Sequence, residues 1–137
     1  MPAAKIPSAR FPRSAKLLKH SDFQRVYKNG KRHFSTLLTA FFLPGTEPGP
    51  RIGITVSRAL GGAVQRNRIK RRMREAVRLY RSELPAPMDV VFNPKKLVLD
   101  ADFAQLAQEV SRAFEVIAKA AVRQAKQQKA NERSTGQ

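Results

Sequence analysis

The chain has 137 residues, enough for one domain with a modest core, and carries 27 Lys and Arg against 10 Asp and Glu, a formal charge of +17. The absence of cysteine excludes disulfides, zinc–thiolate sites and thiol nucleophiles, and no apolar run reaches the roughly 18 residues of a membrane span. So much like charge in a small globule calls for a polyanionic partner, nucleic acid first and an anionic membrane surface second.

Residues 1–16 mix Pro, Ala, Ser, Lys and Arg without a period and read as a flexible basic arm. They lack the continuous apolar stretch of a secretory signal, which together with the missing cysteines fits a cytoplasmic location. A single domain is expected over 17–121, followed by a polar basic tail over 122–137. Ser21, three residues before Gln24, has the form of a capping box opening a short helix. Phe23, Val26 and Tyr27 fall at helical spacing, and Asn29-Gly30 supplies a left-handed stop.

His33 to Leu43, rich in aromatic and aliphatic residues, reads as one strand, and Arg51 to Ser57 as another with Ile52, Ile54 and Val56 on one side. The Pro- and Gly-containing segment between them favours an antiparallel pair. Gly61-Gly62 turns the chain into a helix over 64–80. Met88 to Phe92 is a short apolar run suited to a strand buried on both faces. Asp100 or Asp102 caps a last helix, on which Phe103, Leu106, Val110, Phe114 and Ile117 form an apolar stripe that fades beyond Ala121 into a frayed tail. The order αββαβα predicts an α/β (α+β) two-layer sandwich, a small mixed sheet packed by helices.

The most informative segment is Arg66 to Arg78. At about 100° per residue, Ile69, Met73, Ala76, Val77 and Tyr80 share one arc that can pack on the sheet. Asn67, Lys70, Arg71, Arg74, Arg78 and Arg81 lie together on another, and Arg68 and Arg72 flank the apolar arc near Glu75. Like charges at i and i+4 destabilise a helix, so a phosphate backbone would relieve this one. Arginine suits that partner because its planar fork grips phosphate and stacks on bases. The competing readings are a plain solvated helix, a membrane-surface helix and a DNA-binding basic region. Pro85 and Pro87 interrupt the continuous zipper that the last would need.

Phe23 and Tyr27, one turn apart, either stack on unpaired bases or fill the core. Phe34, Phe41 and Phe42 read as core. A protein nuclease needs a metal cage, an acid–base pair or an activated nucleophile. The two histidines, His20 and His33, are not at metal-ligand spacing, and the Asp100–Asp102 pair is explained by capping. Any RNA cleavage here therefore belongs to something other than this chain.

The strings Arg51-Ile-Gly-Ile-Thr-Val-Ser57, Gly62-Ala-Val-Gln-Arg-Asn-Arg-Ile-Lys-Arg71 and Arg74-Glu75 resemble the signature of the bacterial ribonuclease P protein subunit. Ser21-Asp22-Phe23-Gln24-Arg25-Val26-Tyr27 through Gly30 is similar to that family's opening helix, and Asp89-Val90-Val91 and the last helix follow in the expected order. The resemblance runs from about Leu17 to Ile117. It implies a ribosomal-protein-like fold, αββαβα or with a further strand, and a left-handed βαβ crossover where the general rule would give a right-handed one.

It further implies an accessory subunit of an RNA endonuclease, a hydrolase that removes the 5′ leader from precursor tRNA. In that family the catalyst is an RNA using Mg²⁺, which the RNA subunit mainly holds. The partners are the catalytic RNA and precursor tRNA, with no protein partner and no membrane required. By position, Arg66, Asn67, Arg68, Lys70, Arg71 and Arg74 would contact the catalytic RNA or organise metal near the cleavage site, and Phe23, Tyr27, Arg51 and Arg58 would line the 5′-leader cleft. Ala59 stands where the family usually carries a second basic residue, and Leu60 and the doubled Gly61-Gly62 also depart from the pattern. The alternative function is a ribosomal or ribosome-assembly RNA-binding protein with no processing role.

Overall fold

The computed structural model describes residues 19–45, 49–83 and 87–135, with side chains as far as Arg123. The expected basic arm over 1–16 lies outside the described residues. The elements are α1 (His20–Asn29), β1 (Lys31–Phe34), β2 (Leu38–Pro44), β3 (Arg51–Ile54), α2 (Ala63–Tyr80), β4 (Met88–Pro94) and α3 (Phe103–Thr135), with short 3₁₀ turns after β3, α2 and β4.

The mixed sheet packed by helices is as expected, but with one strand more, giving αβββαβα. The segment read as a single strand over His33–Leu43 is a hairpin, β1 pairing antiparallel with β2 (Phe34 opposite Thr39). Its turn, Ser35-Thr36-Leu37, contains no Gly, Pro or Asn to announce it. Tertiary contacts hold it instead: Glu109 of α3 accepts from the Ser35 hydroxyl and the Leu37 amide, each at 2.8 Å. The Lys95 amide also donates to the Leu37 carbonyl at 2.8 Å.

The strand order is β1-β2-β4-β3, so the expected antiparallel pairing of β2 with β3 does not form. β4 inserts between them, antiparallel to β2 and parallel to β3. The reason is burial. Every residue of β4 except Asn93 is buried, and such a strand is stable only at the centre of a sheet, with neighbours on both edges and cover on both faces. The parallel β3–β4 pair requires a crossover, and α2 is that crossover.

Alternation then sorts side chains onto two faces. On the inner face Leu38, Ala40, Phe42, Ile52, Met88, Val90 and Phe92 meet Ile69, Met73, Ala76 and Val77 of α2 and Leu106, Val110, Phe114 and Ile117 of α3. Phe92 and Phe114 pack edge to face with centroids 5.7 Å apart. Burying each of these large side chains contributes about 1.5–3 kcal/mol against the entropy of ordering the chain. The α3 backbone stays helical to Thr135, past Ala121 where the apolar stripe ends, and so past the point where the pattern predicts fraying.

The ends of α1 differ from expectation in two respects. Ser21 is not a cap: the helix begins at His20 after an extended Lys19 with no side-chain cap, and Gln24 Nε2 instead meets His20 Nε2 at 3.2 Å. Gly30 is extended (φ −80°, ψ 164°), not left-handed. It is needed for close approach, since a Cβ there would lie 2.4 Å from the Val26 carbonyl oxygen and 2.8 Å from that of Phe42. Both are backbone atoms and cannot swing aside. Gly30→Ala is expected to cost about 1–3 kcal/mol in urea unfolding. Gly49→Ala, whose Cβ would meet nothing within 4 Å, serves as the near-neutral control.

His33 is half-buried beside α3. Burial lowers its pKa, and Arg112 lowers it further against the opposing pull of Glu109. The folded state thus holds the neutral imidazole more strongly than the unfolded chain does. Its contribution to stability is full above the ordinary histidine pKa of about 6.5 and declines as pH falls below that value. Thermal unfolding across this range should show the decline, and His33→Leu should flatten that part of the profile.

Candidate nucleic-acid interface

The outer face of the sheet carries α1. Val26, fully buried, packs on Val91 with Phe23, Phe41 and Leu43 around it. Below the first turns of the helix lies Asp89, the one fully buried charged side chain among the described residues. A carboxylate stripped of water needs compensating charge and hydrogen bonds. Arg51 of β3 grips it with both arms of its guanidinium, Nε to Oδ1 at 3.0 Å and Nη2 to Oδ2 at 2.8 Å. Arg25 of α1 donates to the same Oδ2, and Asp22 lies 3.4 Å from Arg51. The bond to Asp89 raises the Arg51 pKa despite the burial that opposes it. α1 is thus clamped to the sheet by a four-residue ion network.

Beyond the clamp, Tyr27 reaches across the cleft. Its hydroxyl lies 3.0 Å from Thr55 Oγ1 and 2.9 Å from Asn93 Oδ1, and its ring meets Phe41 edge to face at 4.9 Å. Tyr27 nevertheless remains 36% exposed. Phe23 is half-buried in the Val26–Val91 cluster, so it is mostly packing. Of the three strand phenylalanines read as core, only Phe42 is buried there. Phe41 is half-buried on the cleft side and Phe34 is exposed.

Arg51 is 13% exposed and turned to Asp89. It braces the cleft from below and does not line it as an open phosphate contact. Arg58 is exposed on the 3₁₀ turn Arg58–Leu60 after β3, where the Ser57 hydroxyl accepts from the Ala59 amide at 3.2 Å. Gly61 has φ 141° and a Cβ there would strike Gln65, which reserves that bend for glycine. The Gln65 side chain reaches back to the Gly62 amide at 3.0 Å, capping the first turn of α2.

On α2 the apolar arc is buried as expected, with Tyr80 partly so. Asn67, Arg68, Arg71 and Arg74 are exposed and Lys70 half-exposed. Arg66 departs from this set: it folds back, Nε donating to the Gly61 carbonyl at 3.1 Å. Arg72 donates to the Ala101 carbonyl, tying α2 to the turn before α3. Arg78 and Arg81 are half-buried and engaged within the fold. The exposed cationic surface of α2 is therefore Arg68, Arg71 and Arg74, with Lys70 half-exposed among them.

Pattern reading misses Asp22, Arg25 and Asp89. The available signal is a lone carboxylate inside a strand expected to be buried on both faces, which has to find cations. Asn93 and Thr55 carry no signal until the strand order is known. Asp89→Ala should cost about 3–5 kcal/mol in chemical denaturation, because it leaves two guanidinium groups facing each other. Asp89→Asn, keeping the shape and some hydrogen bonds, should cost less.

The model of the family described as Ribonuclease P matches residues 11–118. A ribonuclease P protein component from Desulfovibrio desulfuricans is 40% identical over 103 residues, covering 72% of this chain and 79% of that protein. One from Chloroflexus aurantiacus is 41% identical over 100 residues, covering 72% and 74%. Among solved structures, the RNase P protein of Thermotoga maritima aligns with a TM-score of 0.67 at 27% identity, over 74% of this chain and 96% of that one. The RNase P protein of Staphylococcus aureus aligns with a TM-score of 0.62 at 30% identity, over 78% and 94%. This agreement of sequence and fold means that the chain belongs to the ribonuclease P protein family.

Proposed function

We propose that the protein is the accessory subunit of a ribonucleoprotein endonuclease that removes the 5′ leader from precursor tRNA. Asn67, Arg68, Lys70, Arg71 and Arg74 dock on a catalytic RNA, and the cleft between α1 and the sheet holds the unpaired leader. The observation that carries this reading is the exposed cationic half of α2, whose like charges have only Glu75 among them to offset their repulsion. Phosphate oxygens relieve that repulsion, and counterion release adds to the affinity. Nothing in the fold or the relatives favours a ribosomal or ribosome-assembly role.

Cleavage itself is assigned to the RNA. Among the described residues no group of three or more His, Cys, Asp or Glu is placed to hold a metal ion. Asp22 and Asp89 are matched to arginines. The described residues thus offer no cluster of carboxylates for Mg²⁺, and we ascribe the Mg²⁺ that the family implies to the RNA subunit. The protein acts by binding: Tyr27 and Phe41 receive the leader, Arg58 neutralises phosphate at the mouth, and substrate association is strengthened so that kcat/KM rises at modest Mg²⁺. No described helix is long and apolar enough to cross a membrane, and a cytoplasmic site of action fits the partners proposed.

Reconstitution with the cognate catalytic RNA tests the division of labour. Tyr27→Ala should weaken precursor-tRNA binding by about 1–3 kcal/mol while leaving mature tRNA nearly unaffected. Reversing charge at Arg68 and Arg71 should weaken assembly for every substrate. Uniform losses from both variants would show that the two surfaces are not separate.

A further inference from the structure

Phe34 is 66% exposed on the edge strand β1, among the most open of the large apolar side chains. Single exposed apolar residues are ordinary, but the surroundings of this one are not. In register it lies opposite Thr39, which in turn lies opposite Asn93, the partner of the Tyr27 hydroxyl. Phe34 therefore stands on the cleft face, two strand spacings or about 10 Å from Asn93. Arg32, two residues earlier on the same face, places its guanidinium carbon 5.8 Å from the Phe34 ring centre and 6.0 Å from that of Phe41. One cation thus sits between a ring that Tyr27 partly covers and a ring that is largely open to solvent.

The charge around Phe34 selects the kind of occupant. Arg32 and Lys95 are exposed near it, and Lys95 Nζ is anchored beside the hairpin turn on the Ser35 carbonyl at 2.9 Å. The nearby carboxylate of Glu109 is occupied with Ser35 and Leu37. An exposed aromatic ring flanked by an arginine and a lysine suits a nucleobase with its phosphate, since stacking tolerates any base and arginine neutralises the backbone.

We infer that Phe34 and Arg32 form a second nucleotide subsite, taking a base and phosphate of the same unpaired strand that Tyr27 and Phe41 receive. The inference rests on the leader-cleft reading. The strand would cross the sheet from β4 toward β1, so Phe34 engages a nucleotide further along the leader than Tyr27 does.

The test uses the complex with catalytic RNA and precursor tRNAs whose leaders lengthen one nucleotide at a time. Phe34→Ala should lower affinity about fivefold or more, but only once the leader passes a threshold length longer than that for Tyr27→Ala. Phe34→Tyr, which keeps the ring, should restore it. If Phe34→Ala leaves every leader length unchanged while Tyr27→Ala shows a leader-dependent loss, the subsite is wrong and the cleft reading stands. If neither variant distinguishes leaders from mature tRNA, the cleft reading fails and takes the subsite with it.

Discussion

The cleft exists because one carboxylate is buried. Asp89 sits in the central strand with no access to water, and an ionised group there is tolerable only with charged partners in good geometry. Arg51 comes from the neighbouring strand and Arg25 from α1, so the same charge that must be neutralised joins a helix to a sheet. Apolar packing on this side is thin, limited to Val26 and Val91 with three half-buried neighbours. The ion network supplies the direction that so small an apolar patch cannot. With α1 pinned at the Asp89 end, Tyr27 is set over Asn93 and Thr55, and the rest of the outer face is left open.

The +17 charge is organised along the same lines. Some arginines are structural: Arg25 and Arg51 on Asp89, Arg66 on the Gly61 carbonyl, Arg72 on the Ala101 carbonyl. These groups stiffen the joints between elements. Among the described residues, Arg68, Arg71 and Arg74 on α2 and Arg32 on β1 are exposed to solvent, where such charges repel one another and attract a polyanion. On the proposed reading, the exposed cations of α2 meet structured RNA and the aromatic rings of the outer face meet an unpaired strand.

Much of this is legible from residues alone. The helical arcs of α2 and the stripe of α3 follow from periodicity, because each helix buries one face, and the short apolar run at Met88–Phe92 marks a strand buried on both. The β1–β2 hairpin is not legible, since its turn is held by Glu109 from the far side of the sequence. The strand order is hidden as well: β2 and β3 are joined by a turn-rich connection, yet the demand of β4 for two neighbours outweighs that local economy. The site is half visible. α2 can be read as cationic, but the diversion of Arg51, Arg66 and Arg72 into structural roles depends on hydrogen bonds spanning 29 to 38 residues or on a folded-back loop, which no pattern encodes.

The central claim is that the exposed half of α2 is balanced by RNA phosphates. Its most direct test is the salt dependence of binding to the catalytic RNA for the wild-type protein and for Arg71→Gln/Arg74→Gln. The slope of log K against log salt should become shallower by about one for each phosphate that the altered helix no longer neutralises. An unchanged slope, with affinity intact, would mean that this face of the helix does not meet the RNA.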